Sequence, residues 1–203
     1  FNNADDGNHG PVNLPFGFQL YSNVFNQVYI STNGILVFGG TYTAFTAQGL
    51  PMAPNRFVAP FWADIDLRGP GANNNIVKYK VTPTAMYVNY INVGYFSQHV
   101  DKVNTFQVII TNATDPVAPN GANVSFCYRD MQWTTGDVNG GANGFGGNGA
   151  NVGANQGNGV NYLQFGRFNQ PGTAYNGPFG APGGVSWLDG QPFLFNTIQT
   201  SAN

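Results

Sequence analysis

Two aspartates, Asp64 and Asp66, follow the apolar run 57–62 and stand two residues apart. On a β-strand, side chains two residues apart point to the same face, so the two carboxylates could form part of a site for a hard cation or act as an acid/base pair. Calcium takes roughly six to eight oxygen ligands. Further ligands would have to come from other acidic residues of the chain: Asp5, Asp6, Asp130 or Asp137.

These aspartates do not have the spacing of an EF-hand or another calcium loop. The competing interpretation is that Asp64 and Asp66 accept backbone N–H bonds at turns, or pair with Arg68 or Arg129. This second interpretation is the favoured one, so we expect no cofactor. Ca²⁺ bound by Asp64 and Asp66 is the alternative.

The residues needed for covalent or acid/base catalysis are scarce. The two histidines are His9, in a polar segment, and His99, beside Asp101. Neither belongs to a recognisable nucleophile motif, and Gly-x-Ser-x-Gly does not occur. All nine acidic residues are Asp, and Asp64 and Asp66 are too ordinary a pair to identify a glycosidase. We therefore expect a protein that is not an enzyme.

The composition excludes some partners and favours one fold class. Only 8% of the 203 residues are charged, and the net charge is −2, so the chain lacks the clustered Lys and Arg that nucleic acid requires. No apolar run is long enough to cross a membrane, and we expect no direct membrane insertion in this chain. The single cysteine, Cys127, excludes a disulfide within the chain. The 28 Gly and 15% aromatic residues favour β-structure with many turns.

The arrangement of strand and turn signals predicts a single antiparallel β-sandwich with long Gly/Asn-rich loops, an all-β domain covering residues 1–203. Within it we expect a polar N-terminal segment at 1–13, a Gly/Asn-rich loop at 136–159 and a tail at 198–203. Strands flank Asn33-Gly34, a pair that accepts positive φ at both positions, so we predict a type I′ hairpin there.

The stretch 133–147 marks the point where an aromatic-rich strand gives way to glycine and asparagine. We predict that Trp133 anchors this stretch in the core, and that the loop beyond it is ordered. Thr134, Thr135 and Asp137 are expected to tie the turn through hydrogen bonds from side chain to backbone.

Five segments of the sequence together carry a family resemblance: residues 14–18 (LPFGF), 28–34 (VYISTNG), 58–66 (VAPFWADID), 103–107 (VNTFQ) and 130–137 (DMQWTTGD). In this order they resemble the nidogen-like (NIDO) extracellular domain. Residues 143–147 and 183–189 are similar to the bacterial surface and sorted proteins of this family. The resemblance implies an extracellular or cell-surface location and a non-enzymatic role in matrix or adhesion, and it supplies no catalytic residues. Asn33, Gly34, Trp62, Trp133 and Asp137 are then structural residues of the family motifs.

Two functions remain open at this point. The first is a structural and adhesive module that contacts matrix components or other copies of itself, assembling into matrix or filaments through strand edges that few Lys residues protect. The alternative is a carbohydrate-binding module that stacks sugars on exposed aromatic side chains, although core packing competes for each of them. The candidate aromatic residues are Trp62, Trp133, Trp187, Tyr90, Tyr95 and Tyr162.

Overall fold

The computed structural model describes residues 1–71 and 75–198, and these residues form thirteen strands. In chain order the strands are β1 (Asn8–Leu20), β2 (Asn23–Ser31), β3 (Leu36–Phe38), β4 (Arg56–Trp62), β5 (Ile65–Asp66), β6 (Ile76–Val81), β7 (Ala85–Tyr95), β8 (His99–Thr111), β9 (Val124–Met131), β10 (Ala150–Asn155), β11 (Tyr162–Gln170), β12 (Gly183–Gly184) and β13 (Pro192–Phe195). Two short 3₁₀ helices span Asp137–Asn139 and Val185–Leu188.

The strands form two sheets. The larger has the order β1-β2-β3-β4-β10-β11-β12, and the smaller has the order β13-β9-β8-β7-β5, with β6 also pairing with β7. The pairs are antiparallel except for the short parallel pair of β11 and β12. The predicted all-β, antiparallel sandwich is confirmed.

The core lies between the two sheets, because alternate side chains of each sheet point inward. In β1, residues 14, 16, 18 and 20 are buried, and their neighbours are more exposed. Phe61 of the larger sheet contacts Phe106 of the smaller one, with ring centroids 5.7 Å apart. The hydroxyl of Tyr90 donates to the carbonyl of Ser31 at 2.7 Å, which joins the sheets by a buried hydrogen bond. The sheets are therefore fixed to each other by both packing and polar contacts.

A second, smaller core lies on the other side of the larger sheet, where the segment 39–55 covers Phe57 and Trp62. Amide side chains of β10 and β11 hold this segment in place. The side chain of Asn155 accepts the backbone N–H of Met52 (3.2 Å) and donates to the Met52 carbonyl (2.9 Å). The side chain of Asn151 donates to the carbonyl of Gln48 (2.7 Å). The sheet side chains thus satisfy backbone groups of the covering segment that would otherwise be buried without partners.

The hairpin between β2 and β3 forms at Asn33-Gly34 but not with the predicted turn. Gly34 has φ +75°, whereas Asn33 does not have a positive φ, and the Ser31 N–H donates to the Ile35 carbonyl at 2.9 Å. This pattern is typical of a three-residue loop that ends in one left-handed residue. The predicted type I′ turn is therefore wrong, because such a turn requires a positive φ at both central residues. Left-handed pairs occur instead at Asn120-Gly121 and Asn143-Gly144.

The segment 136–159 was predicted to be a loop. It is not a loop throughout, because it contains β10. β10 lies between β4 and β11, and all six of its residues are buried. The side chains of Ala150, Val152 and Ala154 belong to the core between the sheets. These small residues let the strand pass close to its neighbours. The strand was not predicted because a Gly/Asn-rich composition is typical of loops.

The N-terminal segment differs from the prediction, and most of the predicted C-terminal tail lies outside the described residues. The segment 1–13, predicted to be a polar approach to the first strand, already belongs to β1 from Asn8 onward. The reason is its pairing with β2, in which Asn8 lies opposite Ser31 and Val12 opposite Val28. Of the predicted tail 198–203, only Ile198 lies within the described residues. Among residues 1–71 and 75–198, no helix has the length and apolar character to cross a membrane.

Candidate functional site

Three carboxylates meet where the N-terminal segment crosses the end of β4. Ligand oxygens of Asp5, Asp6 and Asp64 all lie within 4.8 Å of one another. Asp5 is held in place by an isolated β-bridge to Asp66, and Asp64 follows β4 and is 2% exposed. Carboxylate oxygens are the ligands that calcium prefers. The structure therefore brings Asp64 together with two of the further acids that the sequence offered as ligands.

The β2–β3 hairpin forms one wall of this cluster. Asn33 donates from Nδ2 to the Asp6 carboxylate at 2.7 Å, and its Oδ1 accepts the backbone N–H of Ile65 at 3.0 Å. Gly34 is required beside it, because a Cβ at that position would overlap the carbonyl of Phe61. The Asn-Gly pair thus fixes the carboxylates through the Asn side chain and permits close packing through the Gly.

The Gly/Asn-rich stretch forms the opposite wall. Asn139, in the 3₁₀ helix, donates from Nδ2 to Oδ2 of Asp64 at 3.0 Å, and its own Oδ1 accepts the hydroxyl of Thr46 at 2.6 Å. A Cβ on Gly136 would lie 2.6 Å from Oδ2 of Asp64. Glycine at position 136 therefore makes room for the carboxylate, and Asn139 orients it.

The electrostatics of the cluster favour proton or cation binding. Burial, followed by the charges of Asp6 and Asp5, raises the pKa of Asp64 to about 8. Burial, followed by the charges of Asp66 and Asp6, raises the pKa of Asp5 to about 6, against a smaller opposing effect of Arg68. Oδ1 of Asp5 is buried and has no hydrogen-bond partner. At neutral pH the raised pKa keeps Asp64 largely protonated. A divalent cation would replace this proton and compensate the negative charge of the cluster.

Asp66, the second predicted ligand, has a different role. Its Oδ1 accepts from the backbone N–H and Nε of Arg68, both at 2.9 Å, and its Oδ2 accepts from Nη2 of Arg68 at 2.7 Å and the N–H of Gln98 at 3.0 Å. Burial tends to raise the pKa of Asp66, but the hydrogen bonds from Arg68 and Gln98 outweigh it and the pKa lies below its usual value. Asp64 and Asp66 therefore do not form the shared carboxylate face that the spacing suggested. Asp66 instead accepts backbone N–H bonds and pairs with Arg68, as the competing interpretation of the sequence predicted.

The stretch from Trp133 is anchored largely as predicted. Trp133 is fully buried, and its Nε1 donates to the carbonyl of Val93 at 2.9 Å. The hydroxyls of Thr134 and Thr135 donate to the carbonyls of Gly144 (3.2 Å) and Gly146 (2.8 Å). Asp137 departs from the prediction, because its carboxylate pairs with Nε2 of the exposed His99 at 2.8 Å. Only its backbone N–H, bonded to the Phe96 carbonyl at 2.9 Å, ties the turn.

Most of the candidate sugar-stacking residues are part of the core. Trp62, Trp133 and Tyr90 are 0% exposed, and Tyr95 is 1% exposed. Trp187 and Tyr162 are half-buried. Trp187 stacks under the exposed Tyr175, with ring centroids 3.8 Å apart and planes at 6°. Large buried aromatics are what a sandwich core of this size requires.

Some residues that build the site carried no motif in the sequence. Asn139 is an example. Gly136 and Asn104 lie in the segments 130–137 and 103–107 that resemble the family, but no role was predicted for either; Oδ1 of Asn104 accepts the backbone N–H groups of Gln132 (2.7 Å) and Trp133 (3.2 Å). The available signal was polar residues next to strand ends, which is too common to single them out.

The described residues, 1–71 and 75–198, thus form a β-sandwich domain that brings three carboxylates together. A family model described as NIDO related matches residues 1–177, so the chain belongs to the NIDO-related family. Alpha-tectorin of Gallus gallus is 29% identical over 186 residues, and alpha-tectorin of Homo sapiens is 29% identical over 185; each alignment covers 79% of this chain and 8% of the relative. Nidogen of Drosophila melanogaster is 26% identical over 148 residues, covering 60% of this chain and 10% of the relative.

The chain thus spans about a tenth or less of these curated relatives. No solved structure gives a significant match. Alpha-tectorin and nidogen are extracellular matrix proteins, and the predicted extracellular or cell-surface location is confirmed. The relatives named here are animal proteins, so the expectation of a bacterial surface protein stays a prediction.

Proposed function

We propose that the domain is a non-enzymatic structural and adhesive module of a secreted or cell-surface protein, where it contacts matrix components and other copies of itself. The observation that carries this proposal is membership of the NIDO-related family over residues 1–177, together with the similarity to alpha-tectorin and nidogen. The two histidines agree with it, since His9 bonds to the hydroxyl of Tyr79 (3.3 Å) and His99 to the carboxylate of Asp137 (2.8 Å). Neither partner is a serine, threonine or cysteine nucleophile.

The strand that best fits self-association is β13, at one edge of the smaller sheet. It pairs with β9 on one side, and among the described residues no strand pairs with its other side. Leu194 is 44% exposed, and the strand carries no charge. At the opposite edge, β6 exposes Lys78 and Lys80, which oppose indiscriminate strand addition. Addition of a strand from another copy to β13 is therefore the mode of assembly that we propose.

The test is the mass of the protein in solution as a function of concentration, measured by sedimentation. We expect the chain to associate at high concentration, and Leu194→Lys to shift it toward the monomer. Val160→Lys is the matched control, because Val160 is also exposed (62%) but lies outside the strands. A chain that stays monomeric at millimolar concentration, or two variants that behave alike, would contradict assembly through β13.

We further propose that the carboxylate cluster binds a divalent cation such as Ca²⁺, with Asp5, Asp6 and Asp64 as ligands. The support is the convergence of three carboxylates within 4.8 Å and the raised pKa values of Asp5 and Asp64. Water would supply the remaining oxygens, as is common for calcium. A bound cation would link the N-terminal segment to the body of the sandwich, which suits a module of the extracellular space.

A carbohydrate-binding function is the second candidate, and the stack of Tyr175 on Trp187 is the observation that favours it. The outer ring is 38% exposed, and its hydroxyl donates to the Phe165 carbonyl at 2.6 Å, so the ring is held rigidly at the surface. Rigid aromatic faces are suited to stacking sugars. Affinity electrophoresis in polysaccharide gels tests this: Tyr175→Ala should abolish retardation, whereas Tyr79→Ala, at another exposed tyrosine (43%), should not. Equal mobility with and without glycan would exclude it.

A further inference from the structure

The outer face of the smaller sheet presents side chains to solvent, whereas the segment 39–55 covers the outer face of the larger sheet. The strand register places these side chains in a row across the smaller sheet. Lys78 of β6 lies opposite Asn89 of β7, Asn89 lies opposite Gln107 of β8, and Gln107 lies opposite Cys127 of β9. Lys78 and Cys127 are exposed, and the two amide residues between them are half-buried. The row thus joins a charge, two amides and a thiol on one surface.

This face contains a groove of about 390 Å³, called here the sheet groove. The side chains of its lining that belong to the outer face are Asn89, Ile91, Thr105, Gln107, Cys127 and Arg129. Nε2 of Gln107 donates to Oδ1 of Asn89 at 2.7 Å, so the two amides hold each other in place. The N–H groups of the Asn89 amide and Oδ1's counterpart in Gln107, Oε1, then have no partner among the described residues and remain for a ligand.

Positive charge is concentrated on the same face. Three of the seven Lys and Arg residues of the chain lie here, namely Lys78, Lys80 and Arg129. Within residues 1–71 and 75–198, none of the three takes part in an ion pair. The neighbouring Asp130 lies opposite Thr105, and its carboxylate accepts from Nε2 of Gln132 at 2.7 Å. The face is therefore locally positive on a chain whose net charge is −2.

The chemistry of the sheet groove fits a ligand whose anionic groups are separated by neutral hydroxyls. Lys and Arg form charge-assisted hydrogen bonds with carboxylate or sulfate groups, and amide side chains exchange hydrogen bonds with hydroxyls. Three cations are a poor match to nucleic acid, whose phosphates are closely spaced and whose binding rests on many Lys and Arg contacts. A polysaccharide with acidic sugars carries both kinds of group.

We propose that the sheet groove is a binding site for an acidic polysaccharide, one that carries carboxylate or sulfate groups. Lys78, Lys80 and Arg129 bind the anionic groups, and Asn89 and Gln107 bind the hydroxyls. This inference rests on the proposed contact with matrix components and names the chemical class of one of them. It is separate from sugar stacking at Tyr175 and from assembly through β13.

Titration calorimetry with short oligosaccharides tests the recognition of charge. The probes are a galacturonate oligomer, a sulfated heparin oligomer and, as the neutral reference, a malto-oligosaccharide. We expect binding of the charged oligomers that weakens as salt is added, because salt screens exposed charges. Lys78→Gln, Lys80→Gln and Arg129→Gln should each lower the affinity by about two- to fivefold. Lys102→Gln is the matched control, since Lys102 is paired with Asp101 at 2.7 Å and does not line the groove.

Cys127 supplies a second measurement that is tied to the groove. It is the only cysteine of the chain, and it is exposed on the groove wall. A bound oligosaccharide covers the thiol, so the rate of alkylation by iodoacetamide, an uncharged reagent, should fall in proportion to the occupied fraction. The concentration that gives half-protection should equal the dissociation constant from calorimetry. The neutral oligosaccharide should not protect the thiol.

The outcomes separate this inference from the proposed function. Binding that protects Cys127, and that weakens in the three groove variants but not in Lys102→Gln, supports the acidic polysaccharide. Binding without protection, or with equal affinity in all four variants, overturns it. If polyglutamate protects Cys127 and the charged oligosaccharides do not, the partner is an acidic peptide and the polysaccharide is wrong. A chain that binds none of these probes but associates in sedimentation overturns this inference and leaves assembly through β13 intact.

Discussion

Replacement of Asp64 by Asn should have opposite effects with and without a divalent cation. Burial and the neighbouring carboxylates raise the pKa of Asp64 from 3.8 to about 8 in the folded protein. With this pKa the folded protein holds Asp64 largely protonated at neutral pH, whereas the unfolded chain has it ionised. Because a pKa difference of one unit is about 1.4 kcal/mol, taking up this proton costs free energy of folding that a neutral Asn does not. After allowance for relaxation around the site, we expect Asp64→Asn to stabilise the cation-free protein by about 1–3 kcal/mol. The Asn139 side chain can still donate to the new amide oxygen.

Calcium should reverse this order. Extracellular calcium modules have dissociation constants of about 10⁻⁴–10⁻³ M, so a concentration of about 10 mM should stabilise the wild type by about 1.4–2.7 kcal/mol. For a domain of this size one kcal/mol shifts Tm by about 2–4 °C, which predicts a rise of about 3–10 °C. Asp64→Asn removes a charged ligand and should show little of this rise. Thermal unfolding followed by tryptophan fluorescence measures the four Tm values, those of the wild type and of Asp64→Asn, each in chelator and in calcium.

The pH dependence adds an independent check. A carboxyl with a raised folded-state pKa stabilises the fold below its unfolded value, near 3.8 for Asp64, and that stability is lost as the pH rises toward 8. Cation-free protein should therefore lose stability over this range, and calcium affinity should increase with pH as protons cease to compete. Asp130→Asn, at an exposed carboxylate outside the cluster, is the control and should change neither response. A wild-type Tm that is identical in chelator and calcium would refute cation binding, and destabilisation by Asp64→Asn in chelator would refute the electrostatic reasoning.

Three further predictions concern the scaffold and are read out by chemical denaturation. Gly136→Ala should cost about 1–3 kcal/mol, because its Cβ would lie 2.6 Å from Asp64, whereas Gly40→Ala, with no atom within 4 Å, should be nearly neutral. Asn155→Ala should cost about 1–3 kcal/mol, since it leaves buried backbone groups of the covering segment 39–55 without partners. Arg68→Gln should cost about 2–4 kcal/mol, less than for a fully buried pair because the Arg68 side chain is 37% exposed. The pKa of its partner Asp66 lies below the usual value, so the stability that the Arg68–Asp66 pair contributes should vanish as the pH falls below about 4. Arg129→Gln, at an exposed arginine, is the control and should have little effect.

The sheet architecture could be predicted from the sequence because its signals are local. Alternating apolar residues in β1 and the turn residues at Asn33-Gly34 identify strands and their ends without knowledge of the rest of the chain. The same residues did not identify the turn type. The side chain of Asn33 bonds to Asp6 and to the backbone of Ile65, and both partners are distant in sequence, so these contacts of the turn could not be predicted locally either.

β10 could not be predicted for a different reason. Its residues 150–155 alternate small apolar residues with Asn and Gly, a composition typical of loops. Contacts with distant parts of the chain stabilise the strand: Ala154 lies opposite Val58 in β4, and the side chain of Asn155 binds the backbone of the covering segment. Strand propensity largely reflects such packing, so a central strand need not show it locally.

The carboxylate cluster shows why function was harder to locate than fold. The N-terminal segment supplies Asp5, the β2–β3 hairpin supplies Asn33, the end of β4 supplies Asp64 and the Gly/Asn-rich stretch supplies Asn139. These segments meet only when both sheets have formed. The raised pKa of Asp64 means that the fold holds this carboxyl against the cost of burial first and against charge repulsion second. Without a bound cation, the neutral isostere Asn at position 64 should stabilise the fold, so the response of the Asp64→Asn variant to calcium distinguishes a site from an accident of packing.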